Sequence, residues 1–124
     1  MKSLATLFVL VVVLAPFTAS AYSNKCECVR WLREAQGVNI KGNAWEIYPN
    51  ASMWNIDVGQ VLLTQYGKVS HASLVIGFEW DEWKQTPVNI IVVEANYDRC
   101  KVGVRKIAWN SHEIRGVYKP VDVL

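Results

Sequence analysis

The 124-residue sequence lacks an internal repeat, a low-complexity stretch, a strong charge of either sign and a long hydrophobic run. Its one extended apolar run, Leu4 to Ala15, falls short of the about 20 residues a spanning helix needs. A multi-pass membrane protein is excluded. The formal net charge is only +2, which argues against nucleic acid as the main partner, because phosphate binding draws on clustered Lys and Arg. Histidine occurs twice, at His71 and His112, far apart and without spaced cysteine pairs. Zinc ligand sets are therefore missing, and no metal or cofactor is implied. Cysteine occurs three times, at Cys26, Cys28 and Cys100, an odd number that leaves one thiol over after any internal bridge.

What is present begins with a leader. Lys2, the run Leu4 to Ala15 and the small residues Ala19-Ser20-Ala21 form the pattern of a secretory signal peptide. Residues 1–21 are expected to be removed, leaving residues 22–124 as one domain, secreted or periplasmic. The mature part then carries twelve basic against eleven acidic residues. Ser23-Asn24-Lys25 does not resemble the small apolar run before a lipidated cysteine, so no stable membrane insertion is expected. The compartment is oxidising and permits a disulfide. A domain of about 100 residues can bury its own core.

From Cys28 to Gln36 the pattern predicts a helix. Cys28, Trp31, Leu32 and Ala35 share one face, Arg30, Arg33 and Glu34 the other, and Gly37 stops it. A second short helix is predicted from Asn43, as cap, to Tyr48, ended by Pro49. Val58–Thr64, Val69–Phe78, Val88–Ala95, Val102–Ile107 and Ile114–Tyr118 read as strands. Gly67 turns the chain between the first two, and Trp80–Pro87 is read as a loop. Helices first, then about five strands with short connections, predict an α+β fold: N-terminal helices packed on a roughly five-stranded antiparallel sheet.

Cys28 falls in the first turn of the first helix, where unpaired N–H groups and the helix dipole favour a thiolate. Cys26 would point roughly the opposite way. His71 lies early in an apolar strand and shares a face with Ser73, Val75 and Gly77, while Ala72, Leu74, Ile76 and Phe78 form the other face. His112 sits in a polar stretch and is read as solvated. Glu94 and Asn96 close the third strand, two residues apart and hence on one face. Nucleophile, base and orienting group are the parts of a cysteine hydrolase site. Each alone has a bland reading: a buried thiol, a structural histidine, an ordinary strand end.

Six short stretches occur in an order that resembles the CHAP family, the cysteine- and histidine-dependent amidohydrolases/peptidases of the NlpC-like, papain-like group. They are Cys28-Val29-Arg30-Trp31, Gly42-Asn43-Ala44-Trp45, Val58-Gly59-Gln60-Val61, His71-Ala72-Ser73-Leu74-Val75, Glu94-Ala95-Asn96-Tyr97 and Gly116-Val117-Tyr118-Lys119-Pro120. The resemblance implies a papain-like architecture and a monomeric enzyme that cleaves amide bonds of peptidoglycan or its stem peptides. It implies Cys28 as nucleophile, His71 as general base, Asn96 as orienting group with Glu94 as the alternative, and Trp45 and Ser70 beside the substrate groove. Ser70 stands where the family usually has Gly, and Glu27 where it usually has Gln. A carboxylate cannot donate to an oxyanion unless protonated, so the Cys28 N–H would carry that task with another donor. A helix that often precedes the nucleophile is also missing.

If Cys28 stays a free thiol, Cys26 and Cys100 remain to pair, with a Cys26–Cys28 bridge as the competing state. Trp45, Trp54 and Trp83 are read as packing residues rather than sugar-stacking ones. Asn50-Ala51-Ser52 is a glycosylation acceptor pattern. The rival readings are a degenerate CHAP-like domain that binds wall peptides or a partner protein, and an amidohydrolase acting on a non-wall amide.

Overall fold

A computed structural model describes residues 27–96 and 100–121, together with the backbone of residues 4–8. Cys26, the Ala19–Ala21 cleavage pattern and Tyr97 lie outside the described residues. The elements run β1 (Leu4–Phe8), α1 (Cys28–Ala35), β2 (Val61–Tyr66), β3 (Val69–Asp81), β4 (Thr86–Ala95), β5 (Val102–Ala108) and β6 (Ile114–Tyr118).

The strands form one antiparallel sheet in the order β5-β4-β3-β2-β6. β1, inside the predicted leader, pairs antiparallel with the far end of β3, from Leu4 opposite Asp81 to Phe8 opposite Gly77. Tight connections enforce this arrangement. Gly67, at φ +62°, turns β2 into β3, and Glu82–Gln85 turns β3 into β4. The stretch read as a loop over Trp80–Pro87 is shorter than expected, because Trp80 still pairs with Pro87 and Asp81 with Thr86.

α1 is the one α-helix among the described residues. Its first hydrogen bond runs from the Trp31 N–H to the Glu27 carbonyl at 2.9 Å. Its exposed face carries an Arg30–Glu34 pair at 3.1 Å, the favourable one-turn spacing. Gly37 ends it at φ +69°, a left-handed conformation that glycine adopts without steric cost. The Val38 N–H then returns to the Leu32 carbonyl at 3.0 Å. The second predicted helix shrinks to a 3-10 turn, Ala44–Glu46. Gly42 before it and Pro49 after it leave too few residues for an α-helix to nucleate. Asn43 holds that turn by donating its backbone N–H and its Nδ2 to Glu46 Oε1, at 2.8 and 3.0 Å. A further 3-10 turn, Met53–Asn55, was not apparent in the sequence pattern.

The sheet is buried on both faces. On one, Val61, Leu63, Ala72, Leu74, Ile76, Ile91 and Val93 pack against Val29, Trp31 and Leu32 of α1 and against Ile40, Ala44 and Ile47. On the other, Leu62, Val75, Phe78, Ile90, Val92, Ile107 and Val117 lie beneath Ala51, Met53, Ile56 and Val58. Phe78 belongs to the second set, not to the Ala72, Leu74 and Ile76 face expected from alternation. A bulge in β3 explains it: Val75 opposes Val92 while Gly77 opposes Ile91, so one extra residue reverses the parity.

Candidate active site

α1 begins at Cys28, and Cys28 keeps a free thiol that is half-buried. The N–H groups of Cys28, Val29 and Arg30 precede the first helical hydrogen bond, so the helix start presents donors around the sulfur. The two strands that close the sheet's middle supply the rest. β3 carries His71 and Ser73, and β4 carries Glu94. His71 and Glu94 are only 4% and 2% exposed.

His71 Nε2 meets Glu94 Oε1 at 3.0 Å. Cys28 also lies near enough to the ring to raise its pKa. Ser73 Oγ donates to the same Glu94 oxygen at 2.5 Å. Arg105 on β5 donates Nε to Glu94 Oε2 at 2.5 Å and Nη2 to Oε1 at 3.2 Å. Its guanidinium also bonds the Tyr66 hydroxyl and lies over the Tyr66 ring, 5.3 Å from the centroid. Tyr66 and His71 are tilted neighbours with centroids 6.5 Å apart.

The electrostatics follow from these contacts. Burial by itself would lower the His71 pKa, but the hydrogen bonds to Cys28 and Glu94 and the attraction of their charges outweigh it and raise it to about 9. Burial would raise Glu94, but the hydrogen bonds from His71, Arg105 and Ser73 lower it to about 2. At neutral pH the arrangement therefore holds a protonated imidazole between a carboxylate and a sulfur.

Of the two orienting candidates, Glu94 holds the ring. Asn96 does not share its face. β4 ends at Ala95, and Asn96 turns the chain at φ +64° with its side chain exposed. Its Oδ1 accepts the Cys100 N–H at 2.8 Å. Alternation fails there because the chain leaves the extended conformation. His112 is exposed and away from these groups. The sequence reading missed Arg105 and Tyr66. In register Arg105 opposes Val92, one step diagonal to Glu94, and only the pairing of β4 with β5 brings the two charges together.

The sulfur opens onto a groove of about 360 Å³ lined by Glu27, Cys28, Val29, Arg30, Arg33, Gly42, Asn43, Ala44, Trp45, Ser70 and Asn96. Ser70 and Trp45 thus both stand beside it. Ser70 Oγ donates to Gln65 Oε1 at 2.6 Å. Glu27 points its carboxylate at Arg30 Nη1, 3.5 Å away, so its charge beside the thiol is partly offset. Trp45, Trp54 and Trp83, read as packing residues, are instead 67%, 84% and 92% exposed. Trp54 finds only a tilted partner in Trp109, at 6.4 Å. Asn50 uses the atom a glycan would take: its Nδ2 donates to the Lys119 carbonyl at 3.0 Å while its Oδ1 accepts the Lys119 N–H at 2.6 Å. Cys100 is disulfide-bonded, and the Cys26 end of the expected bridge lies outside the described residues.

Among the described residues no group of three or more His, Cys, Asp or Glu is placed to hold a metal, and no helix is long and apolar enough to cross a membrane. No family model, curated protein or solved structure matches this chain.

Proposed function

We propose that the chain is an exported CHAP-like cysteine amidohydrolase/peptidase that hydrolyses amide bonds of peptidoglycan, acting as a monomer without metal or cofactor. The observation that supports this reading most is His71, held by Glu94 at 3.0 Å and set near Cys28, which lines the groove. Nucleophile, base and orienting group in that sequence of contacts are what acyl transfer needs.

The Cys28 thiolate attacks the amide carbonyl carbon, forming a C–S bond and an oxyanion. N–H groups at the start of α1 face that oxygen. The C–N bond then breaks as protonated His71 gives its proton to the leaving amine, which departs and leaves a thioester. Neutral His71 next takes a proton from water, whose oxygen attacks the thioester. The acid product leaves, and the thiolate–imidazolium pair is restored. Glu94 stays ionised throughout and holds the ring.

The test is digestion of purified sacculi, with the new termini identified by mass spectrometry. A new free amine or carboxyl terminus with wild type, and none with Cys28→Ala, is expected. Unchanged sacculi with wild type would contradict the reading. Two observations favour a second reading, a degenerate domain that only binds wall peptides. Glu27 replaces an amide donor next to the sulfur, and Asn43 Nδ2 is engaged with Glu46. Retention of stem peptides without turnover would favour that reading.

A further inference from the structure

We propose that Arg105, backed by Tyr66, is a positioning residue of this site: it fixes the Glu94 carboxylate in the rotamer that holds His71 against Cys28. This inference rests on the proposed hydrolase for its effect on turnover, but its physical core needs no substrate.

Glu94 is buried between three strands. From β3 it meets His71 and Ser73, and from β5 it meets Arg105. Beyond Arg105, β2 adds Tyr66, and beyond His71, α1 adds Cys28. Arg105 is the one permanently charged group among these. Its two contacts engage both carboxylate oxygens, the forked geometry that fixes a carboxylate plane as well as its charge. Ser73 and His71 both meet Oε1. Without the fork, Oε2 loses Arg105 Nε and the plane is free to rotate about the Cγ–Cδ bond. Tyr66 in turn fixes the guanidinium through its hydroxyl and its ring face. The chain of support runs from β2 through β5 and β4 to β3, so four neighbouring strands of the sheet all contribute to it. Positioning matters because an error of about 1 Å in a reacting group can cost about 100-fold in rate.

Charge alone does not explain the fork. A cation near Glu94 also repels the imidazolium, so a mere counter-ion would work against the base. Lysine would preserve the positive charge but not the two-point contact. The comparison of Arg105→Met with Arg105→Lys therefore separates charge from geometry.

The first readout is NMR of the full mature chain without substrate. In wild type, the His71 Nε2–H proton bonded to Glu94 should give a downfield resonance protected from exchange. Arg105→Met and Arg105→Lys should both lose or broaden it, while Tyr66→Phe should weaken it less. The Glu94 carboxyl should titrate about 1–3 units higher in Arg105→Met and closer to wild type in Arg105→Lys. The second readout is turnover on sacculus fragments, where both Arg105 variants should lower kcat at least tenfold with KM nearly unchanged. An unchanged Nε2–H resonance in both folded variants overturns the proposal. Loss of the resonance with unchanged kcat also overturns it as a positioning role. If wild type itself hydrolyses nothing, the NMR comparison still decides the proposal, and only the hydrolase reading falls.

Discussion

Two side chains with opposite shifts set the pH behaviour of the molecule. Glu94 falls from an ordinary 4.5 to about 2 in the folded state. Its contribution to stability is present above 4.5 and is lost as pH falls through about 2. His71 rises from 6.5 to about 9. Its contribution is fully present below 6.5 and is lost as pH rises through about 9. Thermal unfolding followed from pH 2 to 10 should therefore give the highest Tm between about pH 5 and 6, with a decline on each side. Glu94→Gln should remove most of the acid-side slope and His71→Ala most of the alkaline one; slopes unchanged in both variants would refute the assignment. Substitutions at the site also probe chemistry. Cys28→Ala and His71→Ala should each abolish hydrolysis while leaving the fold intact, because the groups act as a unit. His112→Ala should leave it unchanged, as checked by release of wall fragments. The sequence nominates Cys28 and His71, with Glu94 as the alternative to Asn96, from helix start and strand parity, which are local properties; the fold brings His71 and Glu94 into contact. The preference for Asn96 assumes that the chain stays extended past Ala95, whereas it turns at Asn96 itself. Arg105 and Tyr66 were illegible, since their role depends on strand register, which no local pattern specifies.

At the scale of elements, β2 to β6 were legible within a few residues and the first helix within one, because β-branched runs and an amphipathic stripe report burial directly, whereas β1 falls in the stretch read as a leader. What escaped was wherever one residue changes the count. The bulge near Ile76 moves Phe78 to the other face, and the second helix contracts to a single 3-10 turn. Gly116 shows a constraint of the same kind. A Cβ there would lie 2.5 Å from Pro49 Cγ and 2.6 Å from Pro49 Cβ. The groove-side segment ending at Pro49 thus packs directly on the β6 backbone, an approach that only glycine allows. Gly116→Ala should cost about 1–3 kcal/mol through overpacking, measured by urea unfolding. A variant as stable as wild type would mean that Pro49 moves aside freely. Trp31, buried between α1 and the sheet, should cost about 3–5 kcal/mol on replacement by alanine and release the helix that carries Cys28.

The molecule as a whole sets the free thiol of Cys28 close to a buried ion network formed by His71, Glu94 and Arg105. Cys28 is free and Cys100 is disulfide-bonded. A Cys26–Cys100 bridge would anchor the segment entering α1 to the chain leaving β4, close to both ends of the site. It would close a loop of about 75 residues, for which chain entropy gives about 4 kcal/mol. A non-reducing peptide map should link the Cys26 and Cys100 peptides, and reduction should lower the Tm while Cys28 stays modifiable. A linked Cys26–Cys28 peptide would contradict this pairing and mean an enzyme switched off by oxidation. The central claim is that His71 activates Cys28, and the most direct test is the rate at which an iodoacetamide probe modifies Cys28 near pH 7 in the disulfide-intact protein. Wild type should be labelled on Cys28 alone, at least ten times faster than the folded His71→Ala variant. Equal rates in the two proteins would contradict the account.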